Sequence, residues 1–306
     1  MKERSVLLLA TNKREYLDFA VNCARSIGLH NPGLKVFIAT NIAAAAPHPG
    51  IEFLLVNDEI ARLNIEAKLY LDHFLQTEET LFIDSDSICY GDLTPIFEAC
   101  KGASVTVVGR SIALEDFWGS EGAVFARKEF GIDRSILFNG GLYYIKNNDI
   151  TNRIFERARA ISEKYDEYGF HRIKNKWKNE EDLMSIGMVA NNQHPIADDG
   201  RFMTDLYTDG RPGSLNVLTG KRLLRNPGNP PVERRAWYPS SFSPILIHFG
   251  GNSIRSYPYI SQRLLLKFHQ KSGSAALSSI LIYLLIDIPY KSYYWIKGFF
   301  RAKQIK

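Results

Sequence analysis

The spacing of apolar and polar residues changes in a regular way over the first hundred positions. Val6-Leu7-Leu8-Leu9-Ala10 is a continuous apolar run ending in Thr11-Asn12, the pattern of a strand buried on both faces. From Tyr16 to Leu29 apolar residues recur at helical spacing, until Asn31-Pro32-Gly33 stops them. Lys35 to Thr40 reads as a second strand. Ile51 to Val56 reads as a third, after the turn Pro47-His48-Pro49-Gly50. Ile60 to Leu75 reads as helical, and Thr80 to Ile83 as a fourth strand running into Asp84-Ser85-Asp86. This alternation predicts an α/β, Rossmann-like open parallel sheet. Ligands of such sheets sit beyond the carboxyl ends of the strands, where Thr11, Asn12, Asp84 and Asp86 all stand.

Beyond Pro95 the pattern loosens. Ser104 to Gly109 and Gly141 to Ile145 read as strands, Thr151 to Tyr165 as a helix capped by Thr151, and Lys178 to Val189 as another helix. Asn191 to Ser243 is rich in Gly, Pro, Asn and Arg and reads as long loops with little regular structure. Ile245 to Phe249 is a last short strand, followed by Gly250-Gly251-Asn252. The apolar stretch Ala275 to Ile288 is broken by Asp287 and ended by Pro289. Tyr290, Tyr293, Tyr294, Trp295, Phe299 and Phe300 then interleave with Lys291, Lys297, Arg301, Lys303 and Lys306. Aromatics mixed with cations suit a membrane–water interface, so an amphipathic helical tail over residues 261–306 is expected beside a main unit of residues 1–260.

Asp84-Ser85-Asp86 carries the sharpest chemistry. Residues i and i+2 of an extended chain face the same side, so both carboxylates project together from a strand end. Their repulsion calls for a cation, and a hard divalent ion with oxygen ligands supplies it. Two solvated turn aspartates are the plain alternative; the apolar strand Leu81-Phe82-Ile83 directly before the pair favours a site. Asn139-Gly140-Gly141 offers two glycines for close backbone approach to a sugar and an amide for its hydroxyls, or else a tight hairpin. Glu180, Glu181 and Asp182 open a helix, where acids also complement the dipole. Trp118, placed with Glu115 and Asp116 in a loop, is a candidate stacking surface for an acceptor sugar.

The stretch LFIDSDSICYGDLTPIF, with EAKLYLDHFL before it and FNGGLYYIK and IHFGGN after it, resembles GT-A glycosyltransferases and most closely glycosyltransferase family 8. The likeness covers roughly residues 5 to 255. It implies a GT-A domain with a mixed sheet and a nucleotide-sugar donor, UDP-hexose being the expected one. It also implies transfer to a glycan or lipid-linked acceptor hydroxyl with retention of anomeric configuration. By the same resemblance His248 is the third metal ligand; imidazole favours Mn²⁺ over Mg²⁺. Thr11, Asn12 and Tyr16 fall where the family holds base and ribose; Lys68, Ser85 and Gly251 fall on the donor side. Arg255 stands one position later than the family's lysine, and the Pro-Trp pair that follows there is missing. Glu180 takes the place of a sugar-binding aspartate and Glu181 that of a glutamine near the anomeric carbon. A carboxylate at that point can stabilise an oxocarbenium-like centre or attack it.

Composition narrows the partners. A net charge of +5 suits phosphate-bearing ligands or an anionic membrane, while no basic stripe argues for nucleic acid. Three scattered cysteines, with no paired or metal-ligand spacing, read as reduced thiols in a cytoplasmic setting. The run Val6 to Ala10 is too short for a signal peptide, and no run of about 18 apolar residues predicts a membrane-spanning helix, so peripheral attachment on the cytoplasmic face is the expectation. Two rival readings are a sugar-phosphate nucleotidyltransferase and a non-catalytic sugar-nucleotide-binding module. The absence of any glycine between the first strand and Gly28 argues against the former.

Overall fold

Alternate residues of the first strand enter opposite halves of the core. Leu7 joins one apolar cluster with Phe37, Phe82 and Tyr143, while Val6 and Leu8 join another with Val36, Ile38, Leu81 and Ile83. This two-residue period explains why the run is apolar throughout: both faces of the sheet are covered. The computed structural model describes residues 3–43, 49–226, 235 and 237–293. Pro47 and His48 of the expected turn lie outside the described residues, as do Tyr294, Trp295, Lys297, Phe299, Phe300, Arg301, Lys303 and Lys306 of the tail.

In chain order the elements begin β1 (Arg4–Leu9), α1 (Arg14–His30), β2 (Lys35–Thr40), β3 (Ile51–Leu55), α2 (Asp58–Arg62), a 3₁₀ run Asn64–Phe74, β4 (Glu79–Ile83) and β5 (Ser87–Cys89). They continue α3 (Thr94–Ala99), β6 (Val105–Ala113), α4 (Leu114–Phe130), β7 (Arg134–Lys146), α5 (Asp149–Glu163), α6 (Glu180–Ala190), β8 (Ile196–Ala197) and β9 (Met203–Asp205). The last are β10 (Arg211–Asn216), β11 (Lys221–Arg225), β12 (Ser241–Phe242), β13 (Leu246–His248), α7 (Tyr257–Ser272) and α8 (Ala275–Ile282). The central sheet has the order β3-β2-β1-β4-β7-β6-β8. Its first four strands are parallel; β7 runs antiparallel to both β4 and β6. The sheet is therefore mixed rather than wholly parallel. Two three-stranded sheets, β10-β11-β12 and β5-β13-β9, complete the strands.

Several local expectations are corrected. The single helix expected over Ile60 to Leu75 is α2 followed by the 3₁₀ run. Asn64 takes a left-handed φ of 56° between them, and Tyr70 leaves helical geometry where Arg159 takes the carbonyl of Leu69. Asn148, not Thr151, caps α5: its side chain accepts from the Thr151 N–H. The segment holding Glu115, Asp116 and Trp118 is helix α4 rather than a loop. The Asn191 to Ser243 stretch holds β8 to β12, so it is more regular than its composition implies.

Asn139-Gly140-Gly141 is no hairpin. It lies inside β7, at a shift of register against β6 between Val107 and Gly109. The extra residues bulge out of the ladder just past the end of β4, where the Asp84 N–H bonds the Gly141 carbonyl at 2.9 Å.

At the C-terminal end, α7 buries Tyr259, Leu265 and Leu266 in a third core cluster with Phe19 and Phe249. The expected boundary at 260/261 falls inside this helix. The following helix, Ala275–Tyr293, is 19 residues long and apolar enough to cross a membrane by length and composition, a stretch that the polar interruptions at Ser278, Ser279 and Asp287 hid in the sequence.

Candidate metal centre and flanking acids

Strand register builds the centre. β13 pairs antiparallel with β5, setting His248 opposite Ser87, and parallel with β9, setting His248 opposite Asp205. The turn from β4 into β5 carries Asp84, Ser85 and Asp86, so three strand ends converge. Asp84, Asp86 and His248 each offer a ligand atom, all within 4.8 Å of one another. The imidazole Nε2 stands 3.0 Å from Asp86 Oδ1 and 3.8 Å from Asp84 Oδ2. Two carboxylates and one imidazole fit a divalent cation that takes mixed oxygen and nitrogen ligands.

Behind the imidazole stands a residue that sequence reading did not single out. Asp205 Oδ1 faces His248 Nδ1 at 3.6 Å, and both atoms are buried. A carboxylate on the far nitrogen is the arrangement that fixes a ligating histidine. Asp209 in turn accepts from the Asp205 N–H at 2.9 Å and pairs with Arg235 at 3.1 Å. These residues, with Asn139 and Glu181, line a polar cavity of about 140 Å³. The strand of Asp205, Met203-Thr204-Asp205, is too short and has too few apolar residues to stand out within a Gly- and Pro-rich stretch.

Lys68 sits in the same centre. Its Nζ donates to Asp84 Oδ2 at 2.8 Å and to the Gly140 carbonyl at 2.9 Å, and lies 3.2 Å from Glu180 Oε1. Burial disfavours its charge, but Asp84 and Glu180 outweigh this and hold it firmly protonated. Glu180 and Glu181 both approach Gly140. A Cβ there would meet Glu180 Oε1 at 2.6 Å and Glu181 Oε1 at 3.3 Å. Glu181 accepts from the Gly140 N–H at 2.7 Å. At Gly141 a Cβ would meet Asn139 Oδ1 at 2.8 Å, and at Gly250 it would meet the His248 ring at 3.1 Å. The glycines let backbone close on the acids.

The charge balance is acidic. Burial, then the neighbouring Glu180, raises Glu181 to about 7, and burial raises Asp182 to about 6. Burial also raises Glu180, against the pull of Lys68. For His248, burial works against the charged form, yet Asp86, Asp84 and Asp205 together raise it to about 9. Asp86 resists the upward push of burial and is lowered by the His248 charge and hydrogen bond.

The other expected residues spread around this centre. Asn12, at φ 69°, donates its N–H to Asn41 and its side-chain amide to the Ala61 carbonyl, tying the ends of β1, β2 and α2 together. Thr11 beside it is buried, and Tyr16 is 40% exposed with Lys13 over its ring. Ser85 is half-buried in the turn. Gly251 has φ 60° and open space where a Cβ would stand. Arg255 is 75% exposed and reaches Glu15 on α1 at 3.6 Å rather than the acids. Asp182 turns from the centre toward the aromatic side chains around Trp118.

No protein-family model matches the chain, and no curated protein matches it. Solved structures do match, at low identity. Against the apo structure of the bifunctional glycosyltransferase WbbM the TM-score is 0.51 at 14% identity, covering 82% of this chain and 46% of that one. Against the galactosyltransferase LgtC in complex with donor and acceptor sugar analogues it is 0.49 at 16% identity, over 81% of this chain and 87% of LgtC. Against apo GlyE of Streptococcus pneumoniae TIGR4 it is 0.42 at 19% identity, over 64% of this chain. The chain spans under half the length of GlyE and of WbbM, 46% in each case. The likeness is one of fold: a mixed, parallel-dominated α/β sheet flanked by helices, of the GT-A type, with a C-terminal helix.

Proposed function

We propose that the protein is a metal-dependent glycosyltransferase that moves a hexose from a nucleotide diphosphate, UDP being the expected one, to a hydroxyl of a glycan or lipid-linked acceptor. The observation that carries this reading is the meeting of Asp84, Asp86 and His248 from separate strand ends of a GT-A-type fold. The chemistry of the donor set favours Mn²⁺, with Mg²⁺ as the alternative. When bound, the ion supplies Lewis-acid stabilisation of charge on the leaving diphosphate.

The chain's own residues account for the rest. Lys68 offsets the carboxylates around it and keeps Glu180 and Asp84 at fixed separation. Gly251, with open space above it, lets backbone approach a phosphate, and Arg255 lies on the same loop. The Asn139 side-chain oxygen accepts from the Gly141 N–H, which fixes the amide, and we assign its NH₂ group to sugar hydroxyls. Glu181, held by the Gly140 N–H beside the metal centre, is the group we assign to the anomeric carbon; its attack followed by displacement by the acceptor would retain configuration, whereas charge stabilisation alone would retain it only if the acceptor attacks from the leaving-group face.

The terminal helix exposes Leu277, Ile280, Tyr283, Leu284, Leu285 and Ile288. We assign this face, with Lys291 beside it and the aromatic and cationic sequence that follows, to the cytoplasmic membrane surface. That location suits lipopolysaccharide, capsule or other envelope acceptors. A thermal-shift screen of nucleotide sugars with and without Mn²⁺ tests the function. One UDP-sugar should stabilise the native chain by about 2.7 kcal/mol at a hundred times its Kd, only with metal, and not Asp84→Ala or Asp86→Ala. Equal shifts with and without metal, or in both variants, overturn it.

A further inference from the structure

The terminal helix widens where it packs beside α7. Pro289 has no N–H for the Leu285 carbonyl and crowds it. Just before it the helix takes π geometry over Tyr283–Asp287, the Ile288 N–H bonding the Tyr283 carbonyl five residues back. Such turns are rare and gather at functional sites. The widened stretch walls one side of a pocket of about 470 Å³, to which Tyr283, Asp287, Tyr290 and Lys291 contribute. The start of α7 and the strands β10 and β11 wall the other side, joined by Tyr207. None of these residues lines the polar cavity beside the metal centre.

Both signs of charge are present in the pocket, and they are not spent on each other. Asp287 is half-buried; the Ser261 hydroxyl donates to its Oδ1 at 3.0 Å and the Tyr257 hydroxyl faces it. Lys291, four residues on and spaced to pair with it, instead holds its Nζ over the Tyr283 ring at 5.8 Å. Among the described residues no cation lies within 4.0 Å of the Asp287 carboxylate, and no acid within 4.0 Å of Lys291 or of exposed Lys221 on β11. Tyrosine faces gather round the acid. Tyr257 and Tyr290 stack at 3.9 Å and 13°, and Tyr207 and Tyr283 are exposed.

This combination selects among ligand chemistries. A bare metal ion would find a single carboxylate beside two ammonium groups, too few oxygen ligands and the wrong neighbours. A phosphate alone would be repelled by Asp287, and an acyl chain alone would leave that acid desolvated without a partner. An ammonium joined to a phosphate meets both needs, the ammonium on tyrosine faces beside the carboxylate and the phosphate between the lysines. The volume falls in the range of small-molecule sites. Tyr283 belongs both to this pocket and to the exposed apolar face of the terminal helix, so chains attached to such a headgroup continue along that face.

We propose that this pocket binds the headgroup of a zwitterionic phospholipid, an ethanolamine or choline phosphodiester, its ammonium held by Asp287 and the tyrosines and its phosphate by Lys221 and Lys291. The proposal rests on the assignment of the terminal helix to a membrane surface and goes beyond it, naming the lipid class that the helix selects.

Saturation-transfer NMR with glycerophosphoethanolamine and glycerophosphocholine tests it, with glycerol 3-phosphate as the probe that lacks an ammonium. Protons on the carbons bound to nitrogen should receive saturation from the native chain in at least one ammonium probe, and glycerol 3-phosphate should show none. The signal should fall roughly tenfold in Asp287→Asn, which keeps an acceptor for Ser261, and in Lys221→Ala at its exposed position. No saturation of either ammonium probe, equal saturation of glycerol 3-phosphate, or an unchanged signal in both variants overturns the proposal. Co-sedimentation of the native chain with phosphatidylglycerol vesicles is measured alongside. Vesicle binding with no headgroup signal fails the pocket alone, whereas no vesicle binding fails the membrane assignment on which it rests.

Discussion

The charge on His248 ties cation binding to pH. In the metal-free protein Asp86, Asp84 and Asp205 hold the imidazole protonated up to about 9, against the contrary push of burial. A cation can be ligated only by the neutral ring, so it must displace that proton. At pH 7 about one imidazole in a hundred is neutral, and each bound Mn²⁺ should release close to one proton. Apparent affinity should therefore tighten about tenfold for each pH unit up to about 9; two units correspond to roughly 2.7 kcal/mol. The metal-free fold responds with the opposite sign. A histidine whose folded value is raised stabilises fully below its unfolded value of 6.5 and loses that contribution as pH rises through about 9. Titration calorimetry under argon, from about pH 6.5 to 8.5 in two buffers of different ionisation enthalpy, reads both proton count and Kd. A release below about 0.3 proton at pH 7, or a Kd that does not move over this range, refutes the reasoning.

Three further outcomes follow from the geometry. Asp205→Asn removes the charge 3.6 Å behind His248 Nδ1 and should weaken Mn²⁺ binding by about 10- to 100-fold; a change under about twofold contradicts an orienting role. Gly140→Ala places a methyl 2.6 Å from Glu180 Oε1 and should lower stability in urea by about 1–3 kcal/mol, whereas an unchanged unfolding midpoint argues against the close approach of backbone and acids. Replacing exposed Leu284 and Leu285 together by aspartate should abolish co-sedimentation with anionic vesicles, since each buried leucine contributes roughly 1.5–3 kcal/mol; persistent binding sinks the membrane assignment of this face.

Sheet membership was legible where burial on both faces leaves a continuous apolar run, as in Val6 to Leu9 and Leu81 to Ile83. Lys35 to Thr40 matches β2 residue for residue. Asp84 and Asp86 were legible because paired acids at the end of such a run have few structural uses. What escaped reading depends on contacts between distant segments. The break at Tyr70 follows from Arg159 taking a carbonyl, and nothing near Tyr70 in sequence announces it. The Asn-Gly pair at residues 139 and 140 has the local chemistry of a turn, yet the ladder with β4 and β6 keeps it in an extended strand as a bulge. Asp205 was hidden because its strand is only three residues long and acquires meaning only beside β13.

The pairing of β5 with β13 also governs when the cation site comes into being. During synthesis Asp84 and Asp86 emerge well before His248, which arrives with β13, the last strand among the described residues. Ser87 to Cys89 has no strand partner other than β13 among the described residues, so a nascent or truncated chain ending before Leu246 leaves that edge open to other polypeptides. A divalent ion that needs all three ligands would therefore bind completed chains in preference to partial ones.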